Sequence, residues 1–274
     1  MPNLAANLSM LFTEHEFLDR FHAAAKCGFK GVEILFPYEW SVNEIGRALK
    51  DNNLEAALFN APPGDLIAGD RGVAAIPGRE SEFISSIQIA LDYAAELNCH
   101  HIHVMAGKLD QEKDRLEAKT TFIANLKLAA PEAHKRDVVL LIEPINNKIS
   151  IPGYFLNQVS EAREIIEEVR SDNVRLQFDL YHAQIMHGDL EALIRDNIDI
   201  TRHFQIAGLS ARKEPNLGEL NYPYLLNLID SLNYTGWIGC EYHPNQSTIS
   251  GLGWASEYGI KAWVNCSRRM YPFY

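Results

Sequence analysis

The sequence predicts an α/β protein in which a single (β/α)8 TIM barrel forms nearly the whole chain, and three observations support this. The length of 274 residues suits one α/β barrel, which typically has about 250 residues. Short apolar segments alternate with longer amphipathic ones along the chain, as in parallel strands connected by helices. Neither G-x-G-x-x-G nor G-x-x-x-x-G-K-[ST] occurs, whereas an open doubly wound sheet often carries such a phosphate-binding turn.

The predicted strands are short apolar segments, eight in number. Most of them alternate only partly between apolar and polar residues, as expected of parallel strands that are covered on both faces. In chain order they are Leu4–Met10, Gly31–Phe36, Leu54–Asn60, His100–Met105, Val138–Glu143, Val174–Leu180, His203–Gly208 and Trp237–Tyr242.

Helices are predicted between these strands, where apolar residues recur three or four positions apart. Phe17, Phe21 and Ala24 show this spacing in the first of them, and it would place their side chains on one helix face. The predicted helices are Glu14–Cys27, Ser81–Leu97, Leu156–Val169, Leu190–Asn197 and Tyr222–Leu232. Because no linker divides the sequence, we predict one catalytic barrel domain over residues 1–262 and a C-terminal tail, 263–274, of unknown role.

The charge composition argues against a nucleic acid partner. Lys and Arg number 25 against 36 Asp and Glu, so the formal net charge is −11, and an acidic chain without a basic block repels a phosphate backbone. The longest apolar runs, such as Val138–Ile142, are far shorter than the roughly 20 residues of a membrane helix. The few scattered cysteines are typical of a reducing compartment. We therefore expect a cytoplasmic protein without a membrane partner.

Acidic and amide side chains stand in or directly after the last four predicted strands. Glu143, Asp179 and Glu241 follow apolar runs, and Gln205 lies within the seventh strand. A single acid at a strand end often pairs with a lysine or caps a helix. Here, however, the carboxyl ends of four consecutive barrel strands converge on one region, where three buried carboxylates raise each other's pKa or require a cation.

The ligand types predict which cation this would be. Three carboxylates and one amide supply hard oxygen atoms, which suit Mg²⁺ or Mn²⁺. No cysteine belongs to the set, so a structural zinc site is not expected.

Other polar residues of the strands and loops are candidates for binding substrate. His182 follows Asp179 by three positions, and Arg212 follows Gln205 by seven. Asn60 and His103 are also candidates, although a histidine in a strand is more often a hydrogen-bonded core residue. Glu33, in the second strand, could equally be a partner of the residues that bind a cation.

Several sequence blocks resemble hydroxypyruvate isomerases and their close relatives, the 2-oxo-tetronate isomerases, in the xylose isomerase-like barrel superfamily. The blocks occur in the same order along nearly the whole chain. They are Asn7–Phe12, Asn60–Asp65, His103–Gly107, Glu143–Asn146, Phe178–Gln184, His203–Gly208, Gly218–Pro223 and Gly236–Tyr242.

This resemblance implies functions for particular residues. The family's two acid/base glutamates correspond to Glu143 and Glu241, and its divalent metal ligands correspond to Glu143, Asp179, Gln205 and Glu241. Related ketose epimerases usually have histidine at the position of Gln205, and an amide oxygen there favours Mg²⁺. Their substrate-binding histidine and arginine would match His182 and Arg212.

The implied reaction is the interconversion of hydroxypyruvate and 2-hydroxy-3-oxopropanoate (tartronate semialdehyde) through an enediolate. Our hypothesis from the sequence is that Arg212 holds the substrate carboxylate, because a guanidinium group binds carboxylates bidentately. Isomerisation of 2-oxo-tetronate, epimerisation of a ketose at C3, DNA repair on the same barrel and a catalytically silent metabolite-binding barrel remain alternatives. The sequence does not predict an oligomeric state.

Overall fold

Eight parallel strands, each hydrogen-bonded to the next, close into one barrel in a computed structural model of the chain. The structure describes residues 1–109, 111, 114–209 and 211–262, so the predicted tail lies outside the described residues. The strands are β1 (Asn3–Asn7), β2 (Gly31–Ile34), β3 (Glu55–Asn60), β4 (His101–His103), β5 (Val139–Ile142), β6 (Val174–Asp179), β7 (Thr201–Ile206) and β8 (Trp237–Cys240). The predicted α/β barrel is confirmed.

Helices surround the barrel and connect its strands. They are α1 (Phe17–Cys27), α2 (Val42–Asn52), α3 (Glu80–Leu97), α4 (Arg115–His134), α5 (Val159–Val169), α6 (Leu180–Met186), α7 (Leu190–Asn197), α8 (Tyr222–Ser231) and α9 (Thr248–Gly251). Two short 3-10 helices, Pro37–Glu39 and Leu252–Tyr258, complete the set in the described part of the chain. No helix among the described residues is long and apolar enough to cross a membrane.

The predicted helices did not include α2, α4, α6 or α9, although Val42, Ile45 and Leu49 of α2 recur at helical spacing. In α2 only Ile45 and Leu49 are buried. Its start is instead marked by a reciprocal pair of hydrogen bonds between Ser41 and Glu44, which satisfies free backbone donors of the first turn. In α4 the exposed Leu116 and Leu128 disturb the periodicity.

Most strands end earlier than the sequence predicted. The first strand was expected to reach Met10 but stops at Asn7. There the carbonyl oxygen of Asn7 accepts hydrogen bonds from the backbone N–H groups of Met10, at 3.1 Å, and of Leu11, at 2.8 Å. The chain turns at this point, and its apolar residues continue into a buried loop rather than a longer strand.

The interior of the barrel is polar, whereas the space between the barrel and its helices is apolar. Phe21, Phe83 and Phe122 on the helices are almost completely buried. On the strands, by contrast, Gln177 and Asp179 alternate with apolar neighbours. Because residues two apart on a strand share a face, the same face that carries the predicted acids also carries polar residues one layer deeper.

Gly239 on β8 leaves room for a buried carboxylate inside the barrel. A β-carbon at this position would overlap the carboxylate of Glu33, which is completely buried. Asn7 and Gln205 each donate a hydrogen bond of 3.1 Å to Glu33 Oε2, and His203 Nε2 contacts Glu33 Oε1. The space next to Gly239 is therefore filled by a carboxylate that three side chains hold.

We expect Gly239→Ala to lower the free energy of unfolding by about 1–3 kcal/mol, the usual penalty for overpacking a rigid core. Urea denaturation would measure the change. Gly253→Ala is the matched control, because a β-carbon at Gly253 meets no atom within 4 Å. Equal stability of the two variants would show that Glu33 can move aside without loss.

Candidate active site

The predicted site residues meet at the carboxyl end of the barrel, where a cavity of about 330 Å³ opens. Glu143 directly follows β5, Asp179 ends β6 and Glu241 directly follows β8, while Gln205 lies inside β7. All four side chains are buried. Glu143 and Glu241 line the cavity, so carboxylates from separate strands are presented to one enclosed space.

Glu143, Asp179 and His182 form the tightest group of potential metal ligands among the described residues. One ligand atom from each lies within 4.8 Å of the others. His182 Nε2 is 3.7 Å from Glu143 Oε1 and 3.5 Å from Asp179 Oδ2. Asp179 also caps α6, since its Oδ1 accepts a hydrogen bond of 2.7 Å from the backbone N–H of Tyr181. Its second oxygen is thereby directed toward Arg212 and His182.

Arg212 joins two of the carboxylates from above. Its Nη2 is 3.1 Å from Glu241 Oε2 and 3.4 Å from Asp179 Oδ2, and its Nε donates to the carbonyl oxygen of Glu241 at 3.3 Å. The guanidinium group also lies 5.1 Å from the centre of the Tyr181 ring, within the range of a cation–π interaction. Arg212 thus balances part of the negative charge of the site itself.

Gln205 lies below the cavity and is oriented by Glu33. Its Nε2 donates to Glu33 Oε2 at 3.1 Å, and its Oε1 accepts from Gln177 Nε2 at 2.7 Å. Gln177 Nε2 also donates to Glu143 Oε2 at 3.0 Å. Because Glu33 engages the amide nitrogen, the oxygen of Gln205 is the atom turned toward Gln177 and Glu143.

His182 is oriented by Asn146, and its contacts determine which ring nitrogen carries the proton. The oxygen of Asn146 accepts from the backbone N–H groups of Ile149 and Ser150 at 3.0 and 3.1 Å. Its amide nitrogen must therefore donate to His182 Nδ1, at 2.6 Å. In a neutral imidazole the other nitrogen is then the donor, so Nε2–H points toward Glu143 and Asp179. A metal-binding histidine normally donates from its second nitrogen, so this arrangement favours a hydrogen-bonding histidine.

The other two predicted substrate-binding residues, Asn60 and His103, lie side by side in the cavity wall. His103 Nδ1 is 3.2 Å from Asn60 Oδ1 and 3.5 Å from Glu143 Oε2. Burial and the neighbouring His203 lower the pKa of His103 to about 3, so its ring is neutral. A donor on Nδ1 leaves Nε2 as an acceptor at the cavity.

The buried carboxylates have strongly altered pKa values. Burial, followed by the charges of Glu241 and Asp179, raises the pKa of Glu143 well above its usual range. Burial also raises the pKa of Glu241 to about 8, even though Arg212 acts in the opposite direction. The pKa of Asp179 is raised by burial and partly restored by Arg212. Burial is the largest cause of the raised pKa in all three acids, and repulsion between neighbouring carboxylates adds to it.

A divalent cation fits this set of residues. Glu143, Asp179, Glu241 and Gln205 offer hard oxygen donors, which suit such an ion. Among the described residues no group donates a hydrogen bond to Glu143 Oε1, although an unpaired buried oxygen is unfavourable. A cation would satisfy this oxygen and lower the pKa values of all three acids.

Four residues at or beneath the site were not among those that the sequence singled out. Gln177 and His203 could have been found, because each lies two positions before a predicted ligand and so shares its face of the strand. Asn146 and Arg71 lie in loops after β5 and β3. Their positions depend on loop conformation, for which the sequence carries no periodic signal.

The chain belongs to the xylose isomerase-like TIM barrel family, whose model matches residues 21–258. It is 50% identical to 2-oxo-tetronate isomerase from Cupriavidus necator over 94% of this chain and 99% of that protein. It is 43% identical to hydroxypyruvate isomerase from Escherichia coli over 94% of this chain and 100% of that protein. Within the barrel family it is thus a member of the hydroxypyruvate isomerase and 2-oxo-tetronate isomerase group, and an isomerase.

A solved structure confirms the similarity of the whole barrel. The crystal structure of AP endonuclease, family 2, from Brucella melitensis is 48% identical in sequence and superposes with a TM-score of 0.92. The match covers 94% of this chain and 99% of that chain.

The raised pKa of Glu241 predicts how the stability of the metal-free protein depends on pH. Its pKa is about 8 when folded against an ordinary value of 4.5, so the folded state binds the extra proton between these values. The contribution of Glu241 to the free energy of unfolding therefore falls as the pH rises from about 4.5 to 8. We expect the melting temperature in EDTA to fall over this range, and to fall less for Glu241→Gln.

Mn²⁺ should reverse this loss, because a cation binds the deprotonated acids. The increase in melting temperature on adding Mn²⁺ should be about 3 °C or more larger at pH 8 than at pH 5.5. Glu168→Gln, at an exposed position on α5, is the control and should behave as the wild type. A larger effect of Mn²⁺ at pH 5.5 would contradict a carboxylate metal site.

Proposed function

We propose that the protein interconverts the ketone and aldehyde isomers of a short 2-oxo acid, with hydroxypyruvate as the first candidate. The observation that carries this proposal is that the carboxylates of Glu143, Asp179 and Glu241 lie close together at one cavity. Two of these acids, Glu143 and Glu241, line the cavity itself. Isomerisation between adjacent carbon atoms requires a base at one carbon and an acid at the other, and paired carboxylates with raised pKa values are suited to it.

The atoms of the reaction balance without an external oxidant or reductant. Hydroxypyruvate, HOCH₂–CO–COO⁻, loses a proton from C3 to one glutamate. The C3–H electron pair forms the enediolate double bond to C2, and the π pair of the C2 carbonyl moves to O2. A proton then returns to C2, and the hydroxyl proton on O3 moves to O2. The product is OHC–CHOH–COO⁻. Glu143 and Glu241 perform the two transfers at carbon.

The remaining residues of the site support the charge that develops on oxygen. We propose that Glu143, Asp179, Gln205 and Glu241 bind a divalent cation. Mg²⁺ is the first candidate, and Mn²⁺ is the alternative. When bound, such an ion supplies Lewis acid stabilisation of the enediolate oxygens. His182, which carries its proton on Nε2, donates to a substrate oxygen in the same space. Arg212 keeps Asp179 and Glu241 charged.

Isomerisation of 2-oxo-tetronate is the second candidate, favoured by the 50% identical relative of that name. The reaction would use the same C2 and C3 atoms and the same glutamates. The longer acid adds only one CHOH unit, for which the cavity of about 330 Å³ offers room. Relative kcat/KM values for hydroxypyruvate and 2-oxo-tetronate would decide between the two candidates.

DNA repair is disfavoured, although a structurally similar protein carries the name of an endonuclease. The net charge is −11, which opposes binding to a phosphate backbone. The one cluster of potential metal ligands in the described part of the chain contains two acids and a single histidine. A small anionic metabolite in a reducing, cytoplasmic environment remains the proposal.

Proton NMR of hydroxypyruvate in D₂O tests this function. With Mg²⁺ or Mn²⁺ we expect loss of the C3 proton signal and appearance of tartronate semialdehyde, and with EDTA neither. Glu143→Gln and Glu241→Gln should each lower kcat by at least about 100-fold, the usual contribution of a general acid or base. The variant that still exchanges the C3 proton without forming product has kept the base at C3.

Glu168→Gln, an exposed substitution, should retain wild-type activity and controls for the change in net charge. Full activity of both Glu143→Gln and Glu241→Gln would exclude acid/base catalysis by these carboxylates. Wild-type activity that is unchanged in EDTA would exclude a requirement for the cation.

A further inference from the structure

The cavity contains a second guanidinium group that the reaction as described does not use. Arg71, in the loop between β3 and α3, lines the cavity together with Arg212, Glu143 and Glu241. A short 2-oxo acid brings its own carboxylate into this space. Both arginines are cationic groups suited to a carboxylate, and the structure distinguishes between them.

Arg212 is already engaged by the site. Its Nη2 serves both Glu241 Oε2 and Asp179 Oδ2, and its Nε bonds to the backbone of Glu241. If it turned to a substrate carboxylate, the two buried acids would lose the guanidinium group that contacts them both. Arg212 is therefore better suited to holding these acids than to holding the substrate.

Arg71, unlike Arg212, contacts backbone carbonyl groups rather than carboxylates. Its Nη1 donates to two backbone carbonyl oxygens, that of Asp70 at 2.5 Å and that of Leu66 at 3.3 Å. Among the described residues no carboxylate forms an ion pair with its guanidinium group, and the side chain is half-buried. An arginine has five N–H donors, so Nε and Nη2 remain available for a planar, two-point contact with a carboxylate.

The loop holds Arg71 in a defined position. On one side, Arg79 forms a two-point contact with Asp70, with both N–O distances at 2.7 Å. Asp70 Oδ2 in turn accepts from the backbone N–H of Asp65 at 2.7 Å. The negative charge nearest to Arg71 in sequence is thus already paired with Arg79.

On the other side, the loop is fixed to the end of β4. Gly72 has a φ of +101° and packs so closely on the backbone of Met105 that a β-carbon there would overlap it. The backbone N–H of Ala75 donates to the carbonyl oxygen of Ala106 at 2.7 Å. Little reorganisation is then needed when Arg71 meets an anion, which favours binding.

We propose that Arg71 binds the carboxylate of the 2-oxo acid and thereby selects acids over neutral ketoses. Binding of the substrate carboxylate, which the sequence suggested for Arg212, is thus assigned to Arg71. Arg212 positions Asp179 and Glu241. This inference rests on the proposed function for the class of substrate. It goes beyond that function by assigning recognition of the carboxylate to the loop after β3.

The test compares Arg71→Gln, Arg71→Lys and Arg212→Gln on hydroxypyruvate with saturating Mn²⁺. Loss of a charged two-point contact should raise KM about 30-fold or more in Arg71→Gln and change kcat by less than about 5-fold, with Arg71→Lys in between. Arg212→Gln should instead lower kcat and weaken binding of Mn²⁺, measured by electron paramagnetic resonance. Arg202→Gln is the matched control, because Arg202 also bonds only to backbone carbonyls in the described residues but lies at the other end of β7.

Competition measurements separate charge recognition from turnover. Pyruvate carries the 2-oxo carboxylate, whereas dihydroxyacetone replaces the carboxylate of hydroxypyruvate with CH₂OH. Arg71→Gln should weaken inhibition by pyruvate and leave inhibition by dihydroxyacetone unchanged. Saturation-transfer NMR would measure the same binding if the enzyme were inactive.

The outcomes distinguish this inference from the proposed function. An active wild type whose Arg71→Gln variant keeps its KM within about 3-fold would overturn the role of Arg71 and leave the isomerase proposal intact. The same holds if Arg212→Gln, rather than Arg71→Gln, abolishes discrimination between pyruvate and dihydroxyacetone. A wild type that turns over no 2-oxo acid, with or without Mn²⁺, would overturn the proposed function itself.

Discussion

The organisation of the molecule depends on three buried carboxylates held within one end of a barrel. Glu143, Asp179 and Glu241 lie on or next to strands that the closed sheet places side by side, and burial alone opposes their ionisation. Nearly every contact around them supplies compensating charge or a hydrogen bond. Arg212 bridges two of the acids, and Gln177 donates to the third. The buried cluster of Glu143, Asp179 and His182 is compatible with a divalent metal ion.

Beneath these acids a layer of polar residues fixes the direction of each functional group. Glu33 determines which end of the Gln205 amide faces the site, and Gly239 is small because Glu33 occupies the adjacent space. Asn146 performs the same function for His182 by accepting from two backbone N–H groups and donating to the imidazole. The orientations of Gln205 and His182 therefore depend on Glu33 and Asn146, which do not line the cavity. Such supporting contacts hold catalytic groups within the narrow geometry that catalysis requires.

Much of the fold and of the central site could be predicted from the sequence. The alternation of short apolar and longer amphipathic segments identified eight strands, and acids after apolar runs identified Glu143, Asp179 and Glu241. Prediction was weaker where tertiary contacts replace local pattern. Helix α4 exposes Leu116 and Leu128 to solvent, and β1 stops at Asn7 because its carbonyl turns toward the following loop. Boundaries of this kind depend on hydrogen bonds that no local periodicity encodes.

The sequence by itself determined which residues approach the centre of the barrel, since strand order and the two-residue alternation of side chains place them there whatever the loops do. The tertiary structure decided how those residues are paired. Arg212 follows β7 in sequence, yet its partners come from β6 and the end of β8. Arg71 reaches the cavity because Asp70 is clamped by Arg79 and Gly72 is packed on Met105. Loop conformations result from such long-range contacts, so only the folded chain separates an arginine that holds the acids from one open to an anion.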